Sequence, residues 1–309
     1  MPTPRRLAFS RQELALVGVT AIWGSTFVIV HTAVEFSGPA FFVGVRFVIA
    51  GLVASVLFWR DLRGMKWSDV GAGAAIGLMI ALGYGLQTMG LQWVSSTTSA
   101  FITALYVPLV PLLQWLVFKK APGLFTWIGV SLAFAGLLLV AGPGADIAFN
   151  TGTLLTIIST LPIAVEIILI SWFAGKIHLG RVTVVQLLAA GVFSLLAMPM
   201  LGERIPAFSW VWFAAAFGLG AASMLIQLTM NWAQRTVSPT RATIIYAAEP
   251  VWAGLFGFFA GDRMTSLGLI GSASIVSGVL VSEIKPKSAG ATEADATEAS
   301  SDVSPAGAH

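Results

Sequence analysis

Residues 91–113 read LQWVSSTTSAFITALYVPLVPLL, and residues 233–255 read AQRTVSPTRATIIYAAEPVWAGL. A shift of 142 positions, the distance from Pro108 to Pro250, lays one on the other without a gap. Gln92 then falls on Gln234, Ser96 on Ser238, Thr98 on Thr240, Ala100 on Ala242, Ile102 on Ile244 and Leu113 on Leu255. Farther on, Ile128, Gly129 and Gly136 fall on Ile270, Gly271 and Gly278. The chain reads as an internal duplication, although its earlier segments share little identity at the same shift.

Composition says what is duplicated. The chain has 309 residues, 57% of them hydrophobic and 10% charged, and its mean hydropathy is +0.87. Soluble domains carry about 25% charged residues, so this is the makeup of a membrane protein. A spanning helix needs roughly 20 apolar residues. Ten such segments begin near Glu13, Pro39, Asp69, Thr97, Leu124, Thr153, Val182, Trp210, Thr240 and Thr265. The expected fold class is an all-α integral membrane protein of ten transmembrane helices in two five-helix copies. Residues 1–12 form the N-terminus, 13–142 and 150–284 the copies, and 285–309 a disordered tail of Ala, Gly, Ser, Thr and acid. The first apolar segment follows Arg5, Arg6 and Arg11, but it is too long for a signal core and lacks a small-residue cleavage site. With no cysteine present, disulfides and thiolate metal sites are excluded.

Basic residues gather in cytoplasmic loops. One set of alternate loops holds Arg5, Arg6, Arg11, Arg60, Arg63, Lys66, Lys119, Lys120, Lys176, Arg181, Arg235, Arg241, Lys285 and Lys287, and the other holds Arg204 and Arg263. Both termini are therefore expected in the cytoplasm, with the spans in the cell inner membrane. The basic residues read as topology anchors rather than a nucleic-acid patch. Five spans per copy is an odd number, so the second copy enters the membrane from the opposite side. The aligned charges agree: Lys119 and Lys120 fall on Gly261 and Asp262, while Trp93 and Ser99 fall on Arg235 and Arg241. Inverted copies around a midplane site are the architecture of secondary transporters. A static bundle left by an old duplication is the plainer alternative.

The stretches AIWGSTFVIV at 21–30, GVRFVIAGL at 44–52, TSAFITALYVPLVPLL at 98–113 and AAEPVWAGLFGFFAGDRMT at 247–265 make the chain resemble EamA-type members of the drug/metabolite transporter (DMT) superfamily. The resemblance covers nearly everything before the tail and rests on the order and spacing of these stretches together. It implies alternating-access efflux of amino acids and related metabolites. One departure from symmetry stands out, because Val107 occupies the place of Glu249.

Polar groups inside the spans mark the candidate pathway. Proline frees the carbonyl four residues earlier, and lipid offers that carbonyl no partner. Pro108, Pro111, Pro162 and Pro250 are therefore expected as helix kinks at a central cavity. Glu249 lies roughly 14 Å into its span at 1.5 Å per residue. A charge there costs about 3 kcal/mol on insertion scales, so Glu249 should face the bundle interior or carry a proton, which makes it a candidate proton carrier. Arg46 lies within about 6 Å of the same depth, close enough for a pair across the bundle. Glu166 is a second pathway carboxylate. Trp23, Tyr84, Gln87, Tyr106, Gln227 and Tyr246 complete the candidate cavity. Trp59, Trp67, Trp93, Trp127, Trp210 and Trp232 sit near span ends and read as interfacial anchors. A structural pair or packing residue is the bland reading of each buried charge.

The rival classes leave weak traces. His31, His178 and His309 stand alone, without metal-ligand spacing. Ser25 in WGSTF lacks a nucleophile-elbow context, and no phosphate-binding loop is present. A channel would more naturally show rings of oligomeric symmetry. The expectation is a transporter rather than an enzyme, without cofactor or metal. Its partners are a small-molecule substrate and membrane lipid, with protons as a candidate coupling ion and no nucleic acid. One chain holds both halves, so a monomer would suffice. A channel, or a membrane enzyme without an identifiable motif, is the alternative.

Overall fold

The computed structural model describes residues 10–94, 96–119, 121–141, 150–249, 251–252 and 266–282. Pro250 and Arg263, with the stretch between them beyond Trp252, lie outside the described residues, as do Arg5, Arg6, Lys120, Lys285, Lys287 and the tail. No strand occurs among the described residues. The helices are α1 (Arg11–Val34), α2 (Pro39–Leu57), α3 (Trp59–Leu62), α4 (Trp67–Gly90), α5 (Ser96–Thr103), α6 (Tyr106–Phe118), α7 (Leu124–Ala141), α8 (Thr151–Phe173), α9 (Leu179–Ala197), α10 (Trp210–Ala233), α11 (Pro239–Tyr246) and α12 (Ser266–Ser282).

Seven of these segments are long and apolar enough to cross a bilayer, with α5 and α6 counted as one, and α7 and α12 are shorter apolar helices. Their outer faces carry large exposed apolar side chains, such as Val56 at 76% and Leu196 at 65% exposure, which belong against lipid rather than water. Trp67 and Trp210, at helix starts, are 89% and 73% exposed.

The helix starts are written locally. Ser10 caps α1 by accepting from Glu13 N at 3.2 Å while Glu13 Oε2 accepts from Ser10 N at 2.7 Å, a reciprocal box that satisfies two orphan donors. Asn150 Oδ1 accepts from Thr153 N at 2.9 Å to start α8. The start of α2 is capped from elsewhere: Glu203, beyond α9, accepts from Ala40 N and Phe41 N, each at 3.0 Å.

Contacts sort the helix ends into two groups. The starts of α1 and α11 meet through Glu13 and Arg241, and the starts of α4 and α9 through Asp69 and Arg181. We call this the basic end. At the opposite end Glu203 reaches α2, and Gly90, ending α4, packs on Gly152 of α8.

Small residues let helices approach closely where lipid gives no hydrophobic drive. A Cβ on Gly136 of α7 would lie 2.5 Å from Gly271 O of α12, and one on Gly278 would lie 2.6 Å from Gly129 O. These glycines are the aligned pairs of the duplication, exchanged across the contact. Helices α4 and α9 are as close, because a Cβ on Gly77 would meet Gln186 O at 2.6 Å.

The prolines act differently from the expectation of simple kinks. Span four is interrupted between Thr103 and Tyr106, so Pro108 stands in the first turn of α6. The carbonyl of Ala104 does not face a cavity unpaired, since Val107 N donates to it at 2.9 Å in a tight turn. Span nine is interrupted at the related place, with Ala247 and Ala248 in a turn after α11. Pro111 and Pro162 lie inside continuous helices α6 and α8.

Candidate functional site

A cavity opens among α1, α2, α4, α5, α6, α8, α10 and Glu249, with about 640 Å³ of empty space that is partly open to its surroundings. Of the residues expected there, Trp23, Arg46, Tyr84, Gln87, Tyr106, Glu166 and Glu249 line it. Gln227 and Tyr246 sit behind the wall. None of Pro108, Pro111 or Pro162 lines it, although Tyr106, Ile163 and Glu166 nearby do. On α1, α2 and α4 the lining comes from the half of each helix remote from the basic end.

Arg46 is held on three sides. Its Nε donates to Ser223 Oγ of α10 at 2.7 Å, and its guanidinium carbon lies 5.4 Å from the Phe47 ring centre and 5.5 Å from that of Tyr84. Those two rings meet edge to face at 5.2 Å. Burial of a guanidinium in this apolar wall is offset by the hydroxyl and the ring faces. The expected Arg46–Glu249 pair is absent from the ion pairs of the described residues. Equal depth does not fix direction around the bundle, and Arg46 turns its Nε to Ser223 instead. Glu249 is left with Oε1 buried and without a hydrogen-bond partner.

Glu166 ends a chain of amides. Gln227 Nε2 donates to Glu166 Oε1 at 2.8 Å, Gln186 Nε2 donates to Gln227 Oε1 at 2.8 Å, and Asn231 Nδ2 donates to Gln186 Oε1 at 3.1 Å. Asn231 also donates to Thr183 Oγ1 at 3.1 Å. The chain crosses α8, α9 and α10 and satisfies groups that lipid cannot. Gln87 Nε2 donates to Thr103 Oγ1 at 2.8 Å across the other wall.

Tyr246 is fully buried between the cavity and the basic end. Its ring meets that of Trp23 edge to face at 5.1 Å, and its hydroxyl accepts from Gln234 Nε2 at 3.2 Å. Gln186, Ser223 and Asn231 were not singled out in the sequence, and Gln234 was named only as the repeat partner of Gln92. Gln227, Asn231 and Gln234 did leave a trace there, at the four- and three-residue spacing of one helix face. Among the described residues no group of three or more His, Cys, Asp or Glu could hold a metal ion.

Comparison with known proteins places this geometry. The model of the EamA-like transporter family matches twice, over residues 11–142 and 150–283. A protein of Archaeoglobus fulgidus named as an uncharacterized transporter is 30% identical over 277 residues, covering 88% of this chain and 86% of its own. The inner membrane transporter YedA of Escherichia coli K12, also named as uncharacterized, is 30% identical over 275 residues, covering 82% and 83%. A solved crystal structure superposes with a TM-score of 0.71 at 18% identity over 89% of this chain and 98% of that one, and so shares the fold. With both copies matched and such relatives aligned nearly end to end, the protein belongs to the EamA-like transporter family and is a multi-pass membrane protein.

Proposed function

We propose that this transporter is a secondary-active exporter of small amphipathic or zwitterionic metabolites, amino acids foremost, working by alternating access. One observation carries the reading: the cavity sets the Arg46 guanidinium in one wall and the unpartnered Glu249 carboxylate in another, with aromatic and aliphatic side chains between. A ligand bearing a carboxylate, an ammonium and an apolar body complements all three surfaces. Trp23, Tyr84, Gln87, Tyr106 and Glu166 complete the substrate pathway in this reading, and Gln227 and Tyr246 support it.

Ten spans in two inverted copies supply the moving parts. In favour of this stand the double family match, the interruption of spans four and nine at related places, and the exchanged glycines of α7 and α12. The basic end is the cytoplasmic end by its charge, in the cell inner membrane. The cavity then faces away from the cytoplasm. Glu249 is the proton-exchanging group that couples export to a gradient.

The test is a metabolite profile of cells and medium from a strain overproducing the protein, beside Glu249→Gln and an empty control. Enrichment of a compound in the medium with wild type alone supports export through this cavity. Equal enrichment with Glu249→Gln contradicts the role given to that carboxylate, and purified protein that converts the compound contradicts transport as the activity.

A further inference from the structure

Beside His178–Asp61, two arginine–carboxylate pairs join the two copies at the basic end, and these two are built alike. Glu13 and Asp69 are buried acids in the first turns of α1 and α4. Each accepts the N–H of the residue before its helix, Ser10 N at 2.7 Å and Lys66 N at 3.0 Å. Each also meets an arginine in the first turn of a helix from the second copy: Glu13 Oε1 pairs with Arg241 Nε of α11, and Asp69 Oδ2 with Arg181 of α9 at 3.5 Å.

What lies behind the two pairs differs. Behind Asp69–Arg181, α4 and α9 touch backbone to backbone at Gly73 and Gly77, and Arg181 Nε also donates to Asp61 O at 2.7 Å. Nothing there can part without unpacking the core. Behind Glu13–Arg241 lies the floor of the cavity. Helix α1 carries Glu13 at its start and the cavity residue Trp23 ten positions on, whereas α11 carries Arg241 at its start and Tyr246 at its end. The Trp23–Tyr246 ring contact is the second closure on the same seam. Helix α11 is eight residues long and ends at the turn of Ala247 and Ala248, a pivot placed just before Glu249. Thr240 Oγ1 donates to Gln114 Oε1 of α6 at 2.6 Å, so α6 is positioned to move with α11.

We propose that Glu13–Arg241 is the latch that shuts the cavity toward the basic end, released when α11 swings from α1, while Asp69–Arg181 is a fixed joint that stays made. What passes through the opened seam rests on the transport reading; the opening itself does not. A seam that carries an ion pair and a ring contact among the described residues can switch between two packings, as alternating access requires.

The absence of native cysteine permits a clean test. Ile163→Cys in the cavity wall is labelled with a membrane-impermeant maleimide from each side in oriented vesicles. Labelling from the basic-end side is expected to rise about fivefold with Glu13→Gln or Arg241→Gln. Asp69→Asn leaves it unchanged, and the swap Glu13→Arg with Arg241→Glu restores the low rate. Labelling from the opposite side identifies folded protein in every variant. If Glu13→Gln does not insert, Arg241→Gln, which leaves the Ser10–Glu13 cap intact, replaces it with the same two outcomes. An equal rise with Asp69→Asn, or no rise in folded Glu13→Gln protein, overturns the latch. Loss of export in cells with these labelling patterns intact would instead strike at the transport reading.

Discussion

The two halves matched by the family model begin their described helices at corresponding places and divide the chemistry between them. Shifted by 142 residues, α7 and α12 begin at aligned positions, 124 and 266, and spans four and nine are interrupted at neighbouring ones. Yet the polar cavity groups do not repeat. Glu166, Gln186, Gln227, Asn231 and Glu249 of the second copy align with Gly24, Gly44, Gly85, Met89 and Val107 of the first. Arg46, Tyr84 and Trp23 of the first align with Leu188, Ile226 and Val165 of the second. The lining acids thus come from one copy, and the cation and the lining aromatic rings from the other, while amides come from both, Gln87 from the first. Duplication supplied a pair of matching frames, and divergence made the two walls of the cavity complementary instead of alike.

The largest effect should follow from placing the second copy's carboxylate in the first. Val107 is fully buried and tightly packed, so Val107→Glu is expected to cost about 3 kcal/mol or more, seen as lost thermal stability in detergent. Unchanged stability would mean that the first copy has a hidden polar niche, and the division of labour would fail. The shared frame is probed by Gly136→Val and Gly278→Val, whose side chains would strike backbone across the same contact. Each should destabilise by about 1–3 kcal/mol, and by similar amounts, because the two sites are images of one another. A large difference between them would break the pseudo-symmetry of α7 and α12. The smallest effect belongs to the amide chain. Gln186→Leu removes two hydrogen bonds, to Gln227 and from Asn231, and should cost about 1 kcal/mol in stability. It should also alter transport more than stability if the chain serves to orient Glu166.

Much of this was readable in the residues, for physical reasons. Apolar runs of spanning length located the seven spanning segments and the shorter α7 and α12 among the described residues, though not the short α3, and a polar side chain inside such a run was conspicuous because lipid penalises it. That is why Trp23, Arg46, Tyr84, Gln87, Tyr106, Glu166 and Glu249 could be picked out before their convergence on one cavity was visible. Partner choice was not readable. Arg46 and Glu249 share a depth, but depth does not fix azimuth, and Ser223 proved nearer to the guanidinium. Serine in a span usually bonds its own helix, as Ser25 does to Ile22 O at 2.7 Å, so Ser223 gave no signal. Glu13 and Asp69 were legible only as the starts of spans, since their arginines come from the other copy, far along the chain. Pro108 was legible as a disturbance, though not as a full interruption of the helix, because the rescue of Ala104 O by Val107 N depends on the turn that forms.

Everything proposed for the cavity converges on Glu249, the cavity-lining carboxylate that the first copy lacks. The decisive measurement is efflux of the exported compound from proteoliposomes under an imposed pH gradient, wild type beside Glu249→Gln at matched protein incorporation. Wild-type efflux should respond to the gradient, and Glu249→Gln should be indifferent to it while still inserted and folded. A variant that keeps the full gradient response would contradict the assignment and return Glu249 to a structural role.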